Sequence, residues 1–151
     1  DWDALYRIKK ECYQELLEQG KVALMPGVAP LLEALVQANI RSCTVTHSPS
    51  SQTDRIRAEL PVLNSIPYWI TRENYQKPKP DPECYLKAIA LYGRQDDRVI
   101  GFEDTPRGLA ALGGTQATAV WICENSLLNE MVNPSVRRYP SFEHLLELKM
   151  I

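Results

Sequence analysis

The sequence predicts an α/β fold built on a largely parallel sheet, and three observations lead there. Short runs of β-branched and apolar residues alternate along the chain with segments of helical period, the pattern of a parallel sheet with crossover helices. Prolines, glycines and hydroxyl residues punctuate the joins between them. At the end of one run two adjacent carboxylates, Glu103 and Asp104, stand directly before Thr105-Pro106, which can start a helix. Acids in that position lie at the carboxyl end of a strand, the edge at which open α/β sheets bind ligands.

In chain order, Trp2 to Gln19 carries Trp2, Leu5, Ile8, Cys12 and Leu16 at steps of three and four among charges, an amphipathic helix ended by Gly20. Asp1 and Asp3 belong to its polar first turn, because no apolar strand precedes them to hold a paired-aspartate site rigid. Met25-Pro26-Gly27 turns the chain into a second helix, Val28 to Gln37, with Leu31, Leu32, Leu35 and Val36 as its buried stripe. Ile40 to Thr46 is the first strand, and His47-Ser48-Pro49 turns into a helix ending near Leu60. Pro67 to Thr71 is a short aromatic strand. Pro78, Pro80 and Pro82 then rule out helix and central strand and stiffen an extended loop.

Asp81-Pro82 starts a helix through Leu91, closed by Gly93. Val99 to Phe102 ends a buried strand, and the short helix after Thr105-Pro106 is broken by Gly113-Gly114. Ala117 to Ile122 is another buried strand and Ser126 to Met131 a short helix. Ser141 caps a final helix with Leu145, Leu146 and Leu148 on its face.

Composition excludes several classes of function. A chain of 151 residues, 44% hydrophobic and 24% charged, is large enough to bury a core as one domain without staples. A net charge of -2, with scattered lysines and arginines, offers no field for nucleic acid. Cys12, Cys43, Cys84 and Cys123 lie far apart with no CxxC pair, and there are only two histidines, so the expectation is reduced thiols in a cytoplasmic protein. No apolar run approaches the roughly 18 residues of a membrane span, and no basic start with an apolar centre marks a signal peptide, so no membrane partner is expected.

Three places carry candidate chemistry, each with a plainer alternative. Glu103 and Asp104 are hard oxygen ligands that suit Mg²⁺, which takes a few carboxylates with waters and substrate phosphate; alternatively, Asp104 before Thr-Pro caps a helix. Thr46 and the backbone amides that follow it, beginning at His47, form a phosphate cradle; alternatively, Thr46 is a β-branched strand residue and Ser48 a helix cap. The His47 side chain has no second histidine or acid beside it in the sequence, which assigns it to surface or packing. Lys77, in the proline-stiffened loop, can hold a fixed charge beside a phosphate; alternatively, the loop is a short ligand for a partner domain.

Together, Val45-Thr46, Lys77-Pro78-Lys79-Pro80-Asp81 and Gly101-Phe102-Glu103-Asp104-Thr105 resemble, in order and spacing, the motifs of the haloacid dehalogenase-like (HAD) superfamily. Met25-Pro26-Gly27-Val28 is similar to that family's re-entry from cap to core. The resemblance covers nearly the whole chain and is nearest to the phosphoglycolate phosphatase and β-phosphoglucomutase-like branch with a helical cap. It implies a Rossmann-like sheet with helices on both faces, residues 1–20 being the last helix of the cap and 21–151 the core. It also implies Mg²⁺ held by Asp104 with help from Glu103, phosphate bound by Thr46, His47 and Lys77, a solvated Lys79, and Thr105 as a helix cap.

The chain departs from the family pattern in one respect. The family's nucleophile lies in an Asp-x-Asp-Gly-Thr segment at the end of a first strand, and no such segment is present. By resemblance, then, the chain is a fragment whose missing strand, between those ending at Thr46 and Glu103, comes from an upstream segment or another chain. The implied activity of the intact protein is hydrolysis of a small phosphorylated metabolite through an aspartyl-phosphate, with the fragment inactive. A sugar-phosphate mutase and a non-catalytic binding protein on the same fold remain alternatives. A phospho-receiver domain is disfavoured, because there the acids precede the hydroxyl and the lysine.

Overall fold

The computed structural model of the chain describes residues 1–124 and 132–147. The helix expected at Ser126 to Met131, and Leu148, lie outside them. In order come α1 (Trp2–Glu18), α2 (Val28–Gln37), β1 (Cys43–Val45), α3 (Ser50–Glu59), β2 (Tyr68–Ile70), α4 (Glu83–Tyr92), β3 (Ile100–Glu103), α5 (Pro106–Gly113), β4 (Thr118–Ile122), β5 (Arg137–Tyr139) and α6 (Phe142–Glu147). Single 3-10 turns at Pro61–Ser65 and Arg72–Asn74 flank β2.

Every ladder is parallel, as the alternation of strands and helices requires. β1 pairs with β2, Thr44 opposite Trp69. β3 pairs with β4, Glu103 opposite Trp121, and β4 with β5, Trp121 opposite Arg138. Among the described residues no ladder joins β1 to β3, so the strands form two separate sheets.

The alternation of side chains along β4 defines two faces. Val120 and Ile122 pack with Leu145 of α6, against Phe102, Tyr139 and Phe142. Ala119 and Trp121 point the other way, toward Leu109 of α5. That second face extends across both sheets: Cys84, Tyr85 and Ala88 of α4 and Ala111 and Leu112 of α5 form one cluster with Ile70 and Tyr75, flanked by Cys43, Val45 and Ala119. Apolar contact under α4 therefore holds together what the hydrogen-bond ladders leave apart. On the α6 side, Gly27 starts α2 at φ +85°, and a Cβ there would stand 2.2 Å from the Glu143 amide nitrogen. Only glycine gives both that backbone and that approach.

Several boundaries differ from expectation for local reasons. The first strand is not Ile40 to Thr46, because α2 ends in a left-handed cap: Asn39 sits at φ +53° and the Ile40 amide donates to Leu35 O at 2.8 Å. Ile40 is thereby drawn into the helix terminus and is 49% exposed. Leu31 and Leu32 are buried as expected, whereas Val36 is exposed. α1 forms, capped by Asp1, which accepts from the Asp3 amide at 3.1 Å. Its apolar stripe of Trp2, Leu5, Ile8 and Leu16 is exposed, and Leu17 is its buried contact. β5 was not foreseen: its Arg137-Arg138-Tyr139 carries no apolar run, and pairing to β4 alone makes it a strand.

Candidate functional site

β1 and β3 both deliver their carboxyl ends to one place, and the bridge between them is Lys79. Its ammonium donates to Val45 O at 3.2 Å, at the end of β1, and to Glu103 Oε1 at 2.6 Å, at the end of β3. It also lies 2.8 Å from the Tyr85 hydroxyl and 4.6 Å from the centre of the Tyr85 ring. The lysine reaches this position because the proline-rich loop into α4 passes over the strand ends.

Glu103 is the buried member of the pair, with a side chain 6% exposed against 14% for Lys79. Gly101 and Glu103 alternate with Phe102, which packs on the α6 side, so Glu103 points to the face of α4 and α5. Both of its oxygens are occupied. Oε1 accepts from Lys79 and from the Tyr85 hydroxyl. Oε2 faces the Asp104 amide at 3.3 Å and the Thr105 hydroxyl at 3.5 Å. Tyr85 is kept as a neutral phenol, and so as a donor, because burial first and then the Glu103 charge push its pKa upward. A Cβ on Gly108 would come within 1.9 Å of Glu103 Oε2, so α5 can lie over this carboxylate only with glycine there.

Around this closed centre the remaining candidates are open. Asp104, one residue past β3, is exposed, and its carboxylate has no hydrogen bond or ion pair among the described residues. Thr105 caps α5, accepting from the Gly108 amide at 3.1 Å, which leaves Asp104 free of that duty. Thr46 follows β1; its hydroxyl oxygen accepts from the Ser48 amide at 3.1 Å, and its proton remains available to a ligand. The expected cap at Ser48 is not made, since Pro49 occupies the cap position of α3 without a side-chain bond.

His47 is exposed, and its Nδ1 lies 2.6 Å from the hydroxyl of buried Tyr75, which also reaches Thr46 O at 3.1 Å. Burial first, then the charges of Arg72, Arg107 and Lys79, lower the pKa of this imidazole.

This geometry bears on two expectations. Lys77 and Lys79 exchange places: Lys77 is 74% exposed and stands 4.0 Å from Asp81, facing a surface hollow with Glu83, Leu86 and Lys87, while Lys79, expected in solvent, is the lysine at the strand ends. The reason is local. Glu83 accepts from the amides of Gln76 at 2.9 Å and Lys77 at 2.8 Å, which turns Lys77 outward along α4. Glu103, expected to help hold the metal, has protein donors facing both its oxygens. Among the described residues no group of three His, Cys, Asp or Glu converges as a metal cage. Tyr75 and Tyr85 were missed altogether, and Lys79 was assigned to solvent. The only signal for Tyr85 was its place beside Cys84 and Ala88 on the buried stripe of α4, and nothing local distinguishes Lys79 from Lys77.

Comparison with known proteins supplies the family context. Residues 2–122 match the family model described as haloacid dehalogenase-like hydrolase. The chain is 27% identical over 110 residues to Protein CbbY of Rhodobacter capsulatus, covering 71% of this chain and 48% of that protein. It is 30% identical over 95 residues to Hexitol phosphatase A of Escherichia coli strain K12, covering 63% and 44%. The chain thus spans about half the length of these curated relatives. In fold it is similar to the crystal structure of CbbY from Rhodobacter sphaeroides in complex with phosphate, with a TM-score of 0.79 at 21% identity, covering 95% of this chain and 65% of that one.

Proposed function

Because the chain belongs to the haloacid dehalogenase-like hydrolase family, we propose that it forms most of the core of a phosphatase acting on a small phosphate monoester. The observation that carries this reading is the Lys79 bridge, which ties the tip of β1, with Thr46, to the tip of β3, with Asp104. A phosphoryl group between those tips would meet the Thr46 hydroxyl, the amides from His47 onward and the Lys79 charge, fixed groups aimed at developing negative charge. Glu103 positions the lysine rather than touching the phosphate. Asp104, exposed and unpaired, fits one oxygen ligand of a hydrated Mg²⁺, which would screen the phosphoryl oxygens.

In this reading an aspartate from a strand supplied outside the chain, filling the place between β1 and β3, attacks phosphorus. The ester oxygen leaves as an alcohol on taking a proton. Water then hydrolyses the acyl phosphate, returning the carboxylate and releasing inorganic phosphate. Residues 1–20 fit the last helix of a cap packed on its exposed stripe. The substrate class is a phosphorylated small metabolite, in line with the name of the hexitol phosphatase relative. Phosphate release from p-nitrophenyl phosphate by the full-length protein, with and without Mg²⁺, tests the reading. Metal-dependent turnover that Asp104→Asn weakens supports it; turnover by the 151 residues alone would overturn the assignment of the nucleophile.

A further inference from the structure

We propose that Tyr75 is a positioning residue for phosphoryl binding, its hydroxyl fixing the loop after β1 so that the Thr46 hydroxyl and the His47 amide meet the phosphoryl group. This rests on the phosphoryl-transfer reading of the strand ends and adds what holds that loop in place. Tyr75 follows the turn after β2 and is 3% exposed, its ring packed in one cluster with Ile70, Cys84, Tyr85 and Ala88. From that core position its Oη lies 3.1 Å from Thr46 O and 2.6 Å from His47 Nδ1. Among the described residues no other side chain is hydrogen-bonded to either group. The carbonyl before Thr46, that of Val45, accepts from Lys79 at 3.2 Å. Two consecutive carbonyls at the tip of β1 are therefore pinned by side chains from the segment between β2 and α4.

The turn that carries Tyr75 is itself braced. Thr71 and Asn74 form a capping box across it, the Thr71 amide donating to Asn74 Oδ1 at 2.7 Å. Arg72 Nη1 donates to the Tyr75 carbonyl at 2.7 Å, and its guanidinium lies 5.2 Å from the centre of the Tyr75 ring. The same turn grips the loop further along, where the Arg72 amide donates to Ser48 O at 3.1 Å and the Ser50 amide to the Glu73 carboxylate at 3.1 Å. Thr46, His47, Ser48 and Ser50 are thus all held from one short segment. Only the Tyr75 bonds act on the two residues placed against the phosphoryl group.

The single phenol proton decides how both of those bonds form. Burial pushes the Tyr75 pKa up to about 12, so the phenol keeps that proton. Thr46 O can only accept. Both contacts are hydrogen bonds when the phenol donates to Thr46 O and accepts from a protonated His47 Nδ1; the reverse leaves two acceptor oxygens facing each other at 3.1 Å. Neutral His47 therefore carries its proton on Nδ1 and its lone pair on Nε2. An unheld imidazole favours the opposite tautomer, so the Nδ1–H form is a signature of the Tyr75 bond that packing of the ring alone would not produce.

The test uses Tyr75→Phe in the full-length protein, which keeps the ring in its packing and removes only the hydroxyl. In long-range nitrogen–proton spectra recorded above the imidazole titration, the parent should show His47 in the Nδ1–H form and Tyr75→Phe should lose it. The variant's kcat/KM for p-nitrophenyl phosphate should fall roughly tenfold, because a displaced loop misaims fixed donors. A role in folding alone would lower the urea midpoint and leave kcat/KM unchanged. Because Tyr75 acts through the loop, Tyr75→Phe combined with Thr46→Ala should cost clearly less than the product of the two separate factors. An Nε2–H tautomer in the parent, an unchanged kcat/KM, or a double substitution costing the full product overturns the proposal and leaves the phosphatase reading standing.

If no ester is turned over, the phosphatase reading has failed and binding decides the role of Tyr75. Titration with inorganic phosphate should shift the Thr46 and His47 amide resonances of the parent, with roughly tenfold weaker affinity in Tyr75→Phe. Equal affinities, or no shift in the parent, overturn the proposal.

Discussion

The floor of the site and its rim are built in opposite ways. On the floor, Glu103, Lys79 and Tyr85 saturate one another beneath Gly108, with little solvent access. Nearer solvent, His47 meets a hydroxyl, Arg72 and Arg107 meet backbone carbonyls, and the Asp104 carboxylate meets no partner among the described residues. The contrast shows how the labour is divided. Groups that face each other in low dielectric fix geometry and offer a newcomer only the field of a charge held in place, as Lys79 does, while groups left unpaired in solvent are the ones able to bind a metal or an anion directly. If that division holds, substitutions on the floor cost stability first, and substitutions at the rim leave the fold alone.

The largest expected effect comes from leaving a buried charge without its partner. Lys79→Met should destabilise the full-length protein by about 3 to 5 kcal/mol in urea unfolding, since it strands Glu103 among apolar neighbours. Gly108→Ala should follow at roughly 1 to 3 kcal/mol, because a methyl group aimed at the Glu103 carboxylate forces either α5 or the acid to move. Tyr85→Phe removes one hydroxyl donor from a charged acceptor, and about 1 to 3 kcal/mol is expected by the same measurement.

The smallest effect belongs to the loop beneath Lys77. Two backbone amides hold the Glu83 carboxyl below the usual 4.5, so its contribution is complete above that value and fades as pH falls through the depressed one. Unfolding midpoints of the parent and of Glu83→Gln should therefore differ slightly at neutral pH and converge in acid. A gap that persists in acid would show that the carboxylate charge is not what matters.

How far the molecule was legible from sequence follows the same divide. The helices at Val28 and Glu83, the parallel pairing and the position of the acids at the end of β3 were all read from local signals: period, proline and glycine punctuation, and apolar runs. Thr105 as a cap was legible too, because the bond it makes spans three residues. The choice between Lys77 and Lys79 was not. Both stand before a proline in the same extended loop, and only the pull of Glu83 on the Lys77 amide, together with the place of Tyr85 on α4, decides which one turns inward. The three-residue β5, with two arginines, was invisible for a related reason: its strand character comes from the partner it pairs with. That no ladder joins β1 to β3 among the described residues was not legible in either strand; the expectation of a strand between them came from the absent Asp-x-Asp segment alone.

A double-mutant cycle tests the central claim, that Lys79 is the lysine joined to Glu103, most directly. Unfolding free energies of the full-length protein would be measured for Lys79→Met, Glu103→Gln and the pair, and in parallel for Lys77→Met with Glu103→Gln. The account predicts a coupling energy on the order of 1 to 3 kcal/mol between Lys79 and Glu103, and one within about 0.5 kcal/mol of zero between Lys77 and Glu103. Strong coupling of Glu103 to Lys77 with none to Lys79 would contradict it.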